Sequence, residues 1–167
     1  MAIRVRIVWL VAVGYVLLAV GMTQTLLAQQ ALGWERYEND SFDFSLSVPR
    51  GLLANRVEGG PEQVTLSSED GKVVVNIFGA ENSDHRPLRE VVADYRRHLP
   101  DARITYEWFG RNSAVLSGYQ NGDILYVRLA MSADRSRVAV LNMLYARDLK
   151  RTLDPVVTRL SRSLAFR

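Results

Sequence analysis

The dipeptide Asn121-Gly122, set between two long apolar runs, constrains this chain more than any other feature. Both residues accept positive φ, which a type I′ hairpin turn demands, so the runs on either side must pair as antiparallel strands. The same logic extends outward. Ile104–Phe109, Ser113–Gln120, Asp123–Ser132 and Arg137–Tyr145 read as four consecutive strands. Gly110-Arg111-Asn112, Asn121-Gly122 and Ala133–Ser136 supply the turns between them. In the first strand Ile104, Tyr106 and Trp108 alternate with Thr105 and Glu107, which predicts one half-buried face. Leu125, Val127, Leu129 and Met131 share a face of the third. Both faces of the fourth are apolar except at Asn142, so it is expected at the centre of the sheet, covered on both sides.

A meander needs cover, and the remaining chain is arranged to provide it. Trp34–Glu38 and Phe42–Val48 read as a hairpin about Asn39-Asp40-Ser41, ended by Pro49. Gly51–Pro61 reads as a loop with Leu52, Leu53 and Val57 turned to the core. Val64–Ser68 and Val73–Phe78 make a second hairpin about Glu69-Asp70-Gly71. Ser83–Leu99 is the clearest helix, capped by Ser83 or Asp84, with Pro87 in its first turn and Pro100 as its stop. Leu88, Val91, Val92, Tyr95 and Leu99 form its apolar stripe. At the C-terminal end a turn is expected over Arg147–Leu153. A helix should then start at Pro155 under an Asp154 cap, with Val156, Val157, Leu160 and Leu164 inward. The predicted fold is α+β: a mostly antiparallel sheet of about eight strands, from two hairpins and a four-strand meander, with two packing helices in an α/β/α-type sandwich.

Met1–Arg6 is short and positive, and Ile7–Met22 is an unbroken apolar or glycine run. This is the pattern of a secretory signal peptide over residues 1–31, although neither Ala28 nor Ala31 gives a clean small-x-small cleavage site. The run is also close to the length of a membrane span, so an uncleaved anchor is the alternative. Either way the positive end stays cytoplasmic and residues 32–167 form one exported domain, periplasmic or tethered to the inner membrane. Those residues carry 19 basic and 18 acidic groups, with Arg147–Arg167 contributing +4 and the rest −3. No concentrated basic surface is implied, so nucleic acid is not an expected partner. The absence of cysteine removes disulfides, thiolate metal sites and a cysteine nucleophile.

Tyr37-Glu-Asn-Asp-Ser-Phe-Asp-Phe-Ser-Leu-Ser-Val-Pro49, Ser68-Glu-Asp-Gly-Lys-Val-Val-Val75, Ala114-Val-Leu-Ser-Gly-Tyr119 and Leu153–Leu164 carry a resemblance. The chain resembles a group of exported proteobacterial proteins of unknown function and, more distantly, the PsbP/Mog1-like fold. Those domains open with an aromatic Y-x-N-x-x-F-x-F strand and close with a helix ending in serine and a hydrophobic residue. The resemblance implies a sandwich fold and non-enzymatic accessory or binding roles. It carries over no functional residues.

Candidate chemistry is sparse. Asp84-His85-Arg86 could bind an anion or exchange protons, but a lone histidine without a motif is more often a surface or capping residue. His98 sits four residues after Asp94 and suits an i,i+4 pair. Ser113 and Ser117 lie in a strand without a nucleophile elbow. Glu69-Asp70 and the group Glu35, Glu38, Asp40 and Asp43 are acidic but lack calcium-loop spacing. Gly59-Gly60-Pro61 lacks a phosphate-loop lysine. Trp34, Tyr37, Trp108, Phe109 and Tyr119 could line a ligand cleft, or simply pack in the core. Asn142 could meet a buried backbone group or a polar cavity. No catalytic, cofactor-binding or metal residue is assigned. The expected function is a non-enzymatic envelope accessory module. A periplasmic small-ligand carrier with a cleft between sheet and helix is the alternative, and an envelope hydrolase ranks behind both.

Overall fold

The computed structural model describes residues 33–99 and 101–167. The export segment at residues 1–31 and the helix stop at Pro100 lie outside the described residues. The strands are β1 (Trp34–Asn39), β2 (Phe44–Pro49), β3 (Asn55–Glu58), β4 (Gln63–Ser67) and β5 (Val73–Glu81). Helix α1 (Leu88–Arg97) precedes the meander β6 (Ala102–Phe109), β7 (Ser113–Gln120), β8 (Asp123–Met131) and β9 (Arg137–Tyr145). A 3-10 turn at Arg147–Leu149 leads into α2 (Lys150–Ser163), and β10 (Ala165–Phe166) follows.

The strands form two antiparallel sheets rather than one. The larger is seven-stranded in the order β3-β4-β5-β9-β8-β7-β6, and the smaller is β1-β2-β10. All four meander strands form as predicted, and Asn121 and Gly122 take φ of +51° and +93° at their turn. β9 is central, between β5 and β8. Helix α1 covers one face of the large sheet, where Leu88 and Val92 pack on Leu116, Leu125, Val127, Leu129 and Val140. On the other face α2 packs along β2 and β10 lies against β8. Phe44, Leu46, Ile77, Leu141, Met143 and Leu160 are all under 2% exposed. Complete burial of each such side chain contributes about 1.5–3 kcal/mol. The architecture is an α+β sandwich.

Several boundaries differ from the sequence reading, each for a physical reason. Gly51–Pro61 is not all loop, because Asn55–Glu58 pairs with β4 as an edge strand. Val57 is 65% exposed there rather than turned inward. Its flanking charges, Arg56 and Glu58, pair with one another and protect the edge. β2 ends at Pro49 as expected, with the proline as its last residue, opposite Trp34. Helix α1 starts at Leu88 with Pro87 at its N-cap, and no side chain caps it. Ser83 and Asp84 belong to a turn ahead of the helix. Pro155 lies inside α2 instead of opening it. Burial of Leu153 at 3% exposure holds the preceding turn helical. The carbonyl that the proline leaves unpaired belongs to Arg151, on the exposed side.

Candidate functional site

The predicted alternation in β6 breaks halfway along. Pairing with β7 shifts register between Ile104 and Tyr106, with Thr105 as the extra residue of a β-bulge. One extra residue moves every later side chain to the opposite face. Ile104 and Phe109 therefore pack toward α1. Tyr106 and Trp108 point the other way and are 55% and 45% exposed, not half-buried together with Ile104. Gly118 accommodates the bulge, since a Cβ there would sit 2.0 Å from the Arg103 carbonyl oxygen.

Tyr106 pairs with Ser117, Trp108 with Val115, and Val115 in turn with Arg128. Partners in register share a face. Tyr119 lies on this face too, partly exposed, with the Arg147 guanidinium 4.3 Å above its ring. The cover from α2 reaches β8, where the Tyr126 hydroxyl and Ser161 Oγ are 2.7 Å apart. It leaves the aromatic rings of β6 in solvent. On the same face, two strands in from Trp108, Arg128 Nε is buried without a hydrogen-bond partner among the described residues. The arrangement is an aromatic plate on an edge strand, with an unsatisfied cationic donor on the same face of β8. Such a surface can take apolar side chains on the rings and a carboxylate on the guanidinium. It contains no nucleophile–base pair.

The other residues singled out in the sequence are engaged elsewhere. His85 Nδ1 donates to the Asp134 carbonyl at 2.9 Å, and Arg86 pairs with Asp94. The Arg86 guanidinium holds the Asp94 carboxyl below its ordinary range. His98 Nδ1 donates to the Asp94 backbone carbonyl at 2.9 Å rather than to its carboxylate. Ser117 Oγ donates to the Leu125 carbonyl, and Ser113 lies at the start of β7. Glu38, Asp40 and Asp43 gather around the Arg167 guanidinium at 3.4, 2.8 and 3.1 Å. That cation occupies the place a metal ion would need. Glu35 pairs with Arg50, and Asp70 accepts from Ser68 Oγ in its own turn, next to Glu69. The Pro61 carbonyl, in the Gly59-Gly60-Pro61 turn, accepts from Asn39 Nδ2.

The five aromatics do not share a cleft. Trp34 lies under Arg159, Tyr37 is buried near Phe44, and Phe109 faces α1. Only Trp108 and Tyr119 reach the open plate. Asn142 Nδ2 donates to the Tyr95 hydroxyl at 2.9 Å, and burial pushes that hydroxyl's pKa up. The groove between α1 and the sheet holds about 160 Å³, below the roughly 300–1,000 Å³ of small-molecule sites.

Sequence reasoning missed Asn82, which is 4% exposed. Its Nδ2 donates to the Arg86 and Arg135 carbonyls at 3.1 and 2.6 Å, and its Oδ1 accepts from Arg86 N. One side chain thus ties the loop before α1 to the β8–β9 turn. Nothing in the sequence separates it from a solvated loop asparagine.

Similarity to solved structures follows the same layers. The cyanobacterial PsbP (CyanoP) of Synechocystis sp. PCC 6803 superposes with a TM-score of 0.63 at 12% identity, covering 81% of this chain and 94% of that one. The Ran-binding protein Mog1p of Saccharomyces cerevisiae superposes with a TM-score of 0.54 at 10% identity, covering 81% and 96%. The fold is PsbP/Mog1-like. No family model matches the sequence, and comparison with curated proteins finds no match. At these identities the PsbP/Mog1-like likeness fixes the arrangement of layers and says nothing of individual side chains. The aromatic plate and Arg128 are therefore argued from this chain alone.

Proposed function

We propose that this PsbP/Mog1-like domain is a non-enzymatic accessory module of the cell envelope that docks a protein partner on the β6 plate. The observation that carries the reading is the exposure of Tyr106 and Trp108 on the face where Arg128 Nε has no hydrogen-bond partner among the described residues. Large aromatics and arginine are the residues that dominate protein interfaces. The partner chemistry that fits is a polypeptide segment presenting a carboxylate between apolar side chains. Mog1p, which shares the fold, binds the protein Ran, so partner binding is compatible with this architecture. Export rests on the apolar segment after Arg6. Among the described residues no helix is long and apolar enough to cross a membrane.

The test is photo-crosslinking in cells, with benzoylphenylalanine placed at Trp108 or, as a control on exposed helix surface, at Arg151. A discrete adduct from position 108 only, weakened by Arg128→Met and mapped to an acidic segment of one envelope protein, is the expected result. Equal adducts from both positions, or none, would remove the reading.

A further inference from the structure

On the opposite side of β6 from the aromatic plate, a cavity of about 300 Å³ opens beside the first turn of α1. Arg89 from the helix, Arg111 from the β6–β7 turn and Arg135 from the β8–β9 turn line it over Leu88, Phe109 and Met131. Elsewhere arginines occur in both states: Arg36, Arg50, Arg56, Arg86, Arg96 and Arg97 are ion-paired, whereas Arg103, Arg151 and Arg162 form no ion pair with a described residue. None of the three arginines lining the cavity makes an ion pair with a described residue, and no carboxylate lines it. The nearby Asp134 is turned onto Ser132 and Ser136 in its own turn. Arg89 lies 4.2 Å over the Phe109 ring, which holds its guanidinium in place.

A comparison within the molecule singles out Arg135. The turns Ser68–Val73 and Ser132–Arg137 have the same construction. In each, the serine N–H donates to the carbonyl of the sixth residue, at 2.9 Å, and the fourth residue's N–H donates back to the serine carbonyl at 3.0 Å. In each, the serine hydroxyl donates to the aspartate two residues on, at 2.7 and 2.6 Å. The fourth position has φ of +71° in one and +63° in the other. Glycine fills it in the first turn, as this conformation favours. Arginine fills it in the second, where a Cβ is strained. The strained position is the one that brings a guanidinium to the cavity, and Asn82 fixes it by holding the Arg135 carbonyl.

We propose that this cavity binds a phosphate monoester carried on a small organic body. Guanidinium forks match phosphate and carboxylate oxygens alike. Three of them beside an uncapped helix N-terminus suit a dianion over a monoanion. Leu88, Phe109 and Met131 give the organic part an apolar floor. The site and the aromatic plate use different residues on different faces, so neither reading depends on the other.

The experiment is calorimetric titration of the full-length chain with phenyl phosphate, inorganic phosphate and benzoate at one ionic strength. Saturable binding is expected in the order phenyl phosphate, then phosphate, then benzoate. R135G, R89Q and R111Q should each weaken phenyl phosphate by about tenfold or more. R151Q, which removes the same charge from α2, should leave it unchanged. R135G should also unfold at a higher denaturant concentration than the parent, so its loss of binding is not a loss of fold. Benzoate binding as tightly as phenyl phosphate would overturn the phosphate assignment. Absence of saturation, or equal weakening by R151Q, would overturn the site.

Discussion

Asn82 makes three hydrogen bonds from one buried side chain, and they join the loop before α1 to the β8–β9 turn. Asn82→Ala should therefore cost about 3 kcal/mol, because the Arg86 and Arg135 groups lose their partner. Urea unfolding measures this, and a loss under 1 kcal/mol would mean that the loops hold themselves. The two twin turns make a pH prediction. Serine hydroxyls and backbone N–H groups hold the Asp70 and Asp134 carboxyls below the ordinary aspartate value of 3.8. A lowered native pKa means that the unfolded chain takes up protons first as pH falls. Their stabilisation is full above about pH 5 and fades as pH drops through 3.8 toward the native values. Unfolding midpoints between pH 5 and pH 2 should show the decline, and Ser132→Ala should flatten it. Residue-scale detail was the least legible part of the sequence. Asn142 stands out because its neighbours are apolar, but its partner is the part-buried Tyr95 hydroxyl rather than a buried backbone group. Asn82 sits among polar loop residues, and its role depends on a turn more than 50 positions away.

At the scale of elements, β6 shows how one residue can invert a pattern. Alternation made Trp108 a core residue, but the bulge at Thr105 sets it in solvent. Trp108→Ala should then cost under about 1 kcal/mol, whereas Leu116→Ala, at 0% exposure, should cost about 2–5 kcal/mol. Equal costs in denaturant titration would place the indole back in the core. Gly118→Ala should be disproportionately harmful, by about 1–3 kcal/mol, because the bulge brings the Arg103 carbonyl against that position. Elements with strong local signals were legible, as with the Asn121-Gly122 turn, the stripe of α1 and the twice-covered β9. Bulges and edges were not. β3 has only Val57 among polar residues, so no alternation marks it, and it is a strand because β4 offers it an edge. The proline rule failed at α2 because burial of Leu153 outweighs one lost backbone bond.

At the scale of the molecule, the small sheet closes the structure. β10 pairs with β2 across more than 100 residues, placing Phe166 edge-on to Phe44 and Arg167 among Glu38, Asp40 and Asp43. Phe166→Ala should cost about 1–2 kcal/mol at any ionic strength, since its contribution is apolar burial. Arg167→Ala should matter at low salt and lose its effect in molar salt, where exposed ion pairs are screened. Thermal unfolding at two salt concentrations separates the two.

The central strands of the large sheet, β5 and β9, are direct neighbours joined in register from Val73–Tyr145 to Glu81–Arg137. Everything from α1 to β8 lies between them in sequence, so the middle of the sheet is a seam between early and late parts of the chain. Such a seam closes only after a long loop has been brought together, which makes for high contact order and refolding on the order of milliseconds to seconds. Until it closes, β5 presents an unpaired, largely apolar edge. The chain therefore has a lengthy interval in which it can be threaded or held extended before its native partners meet.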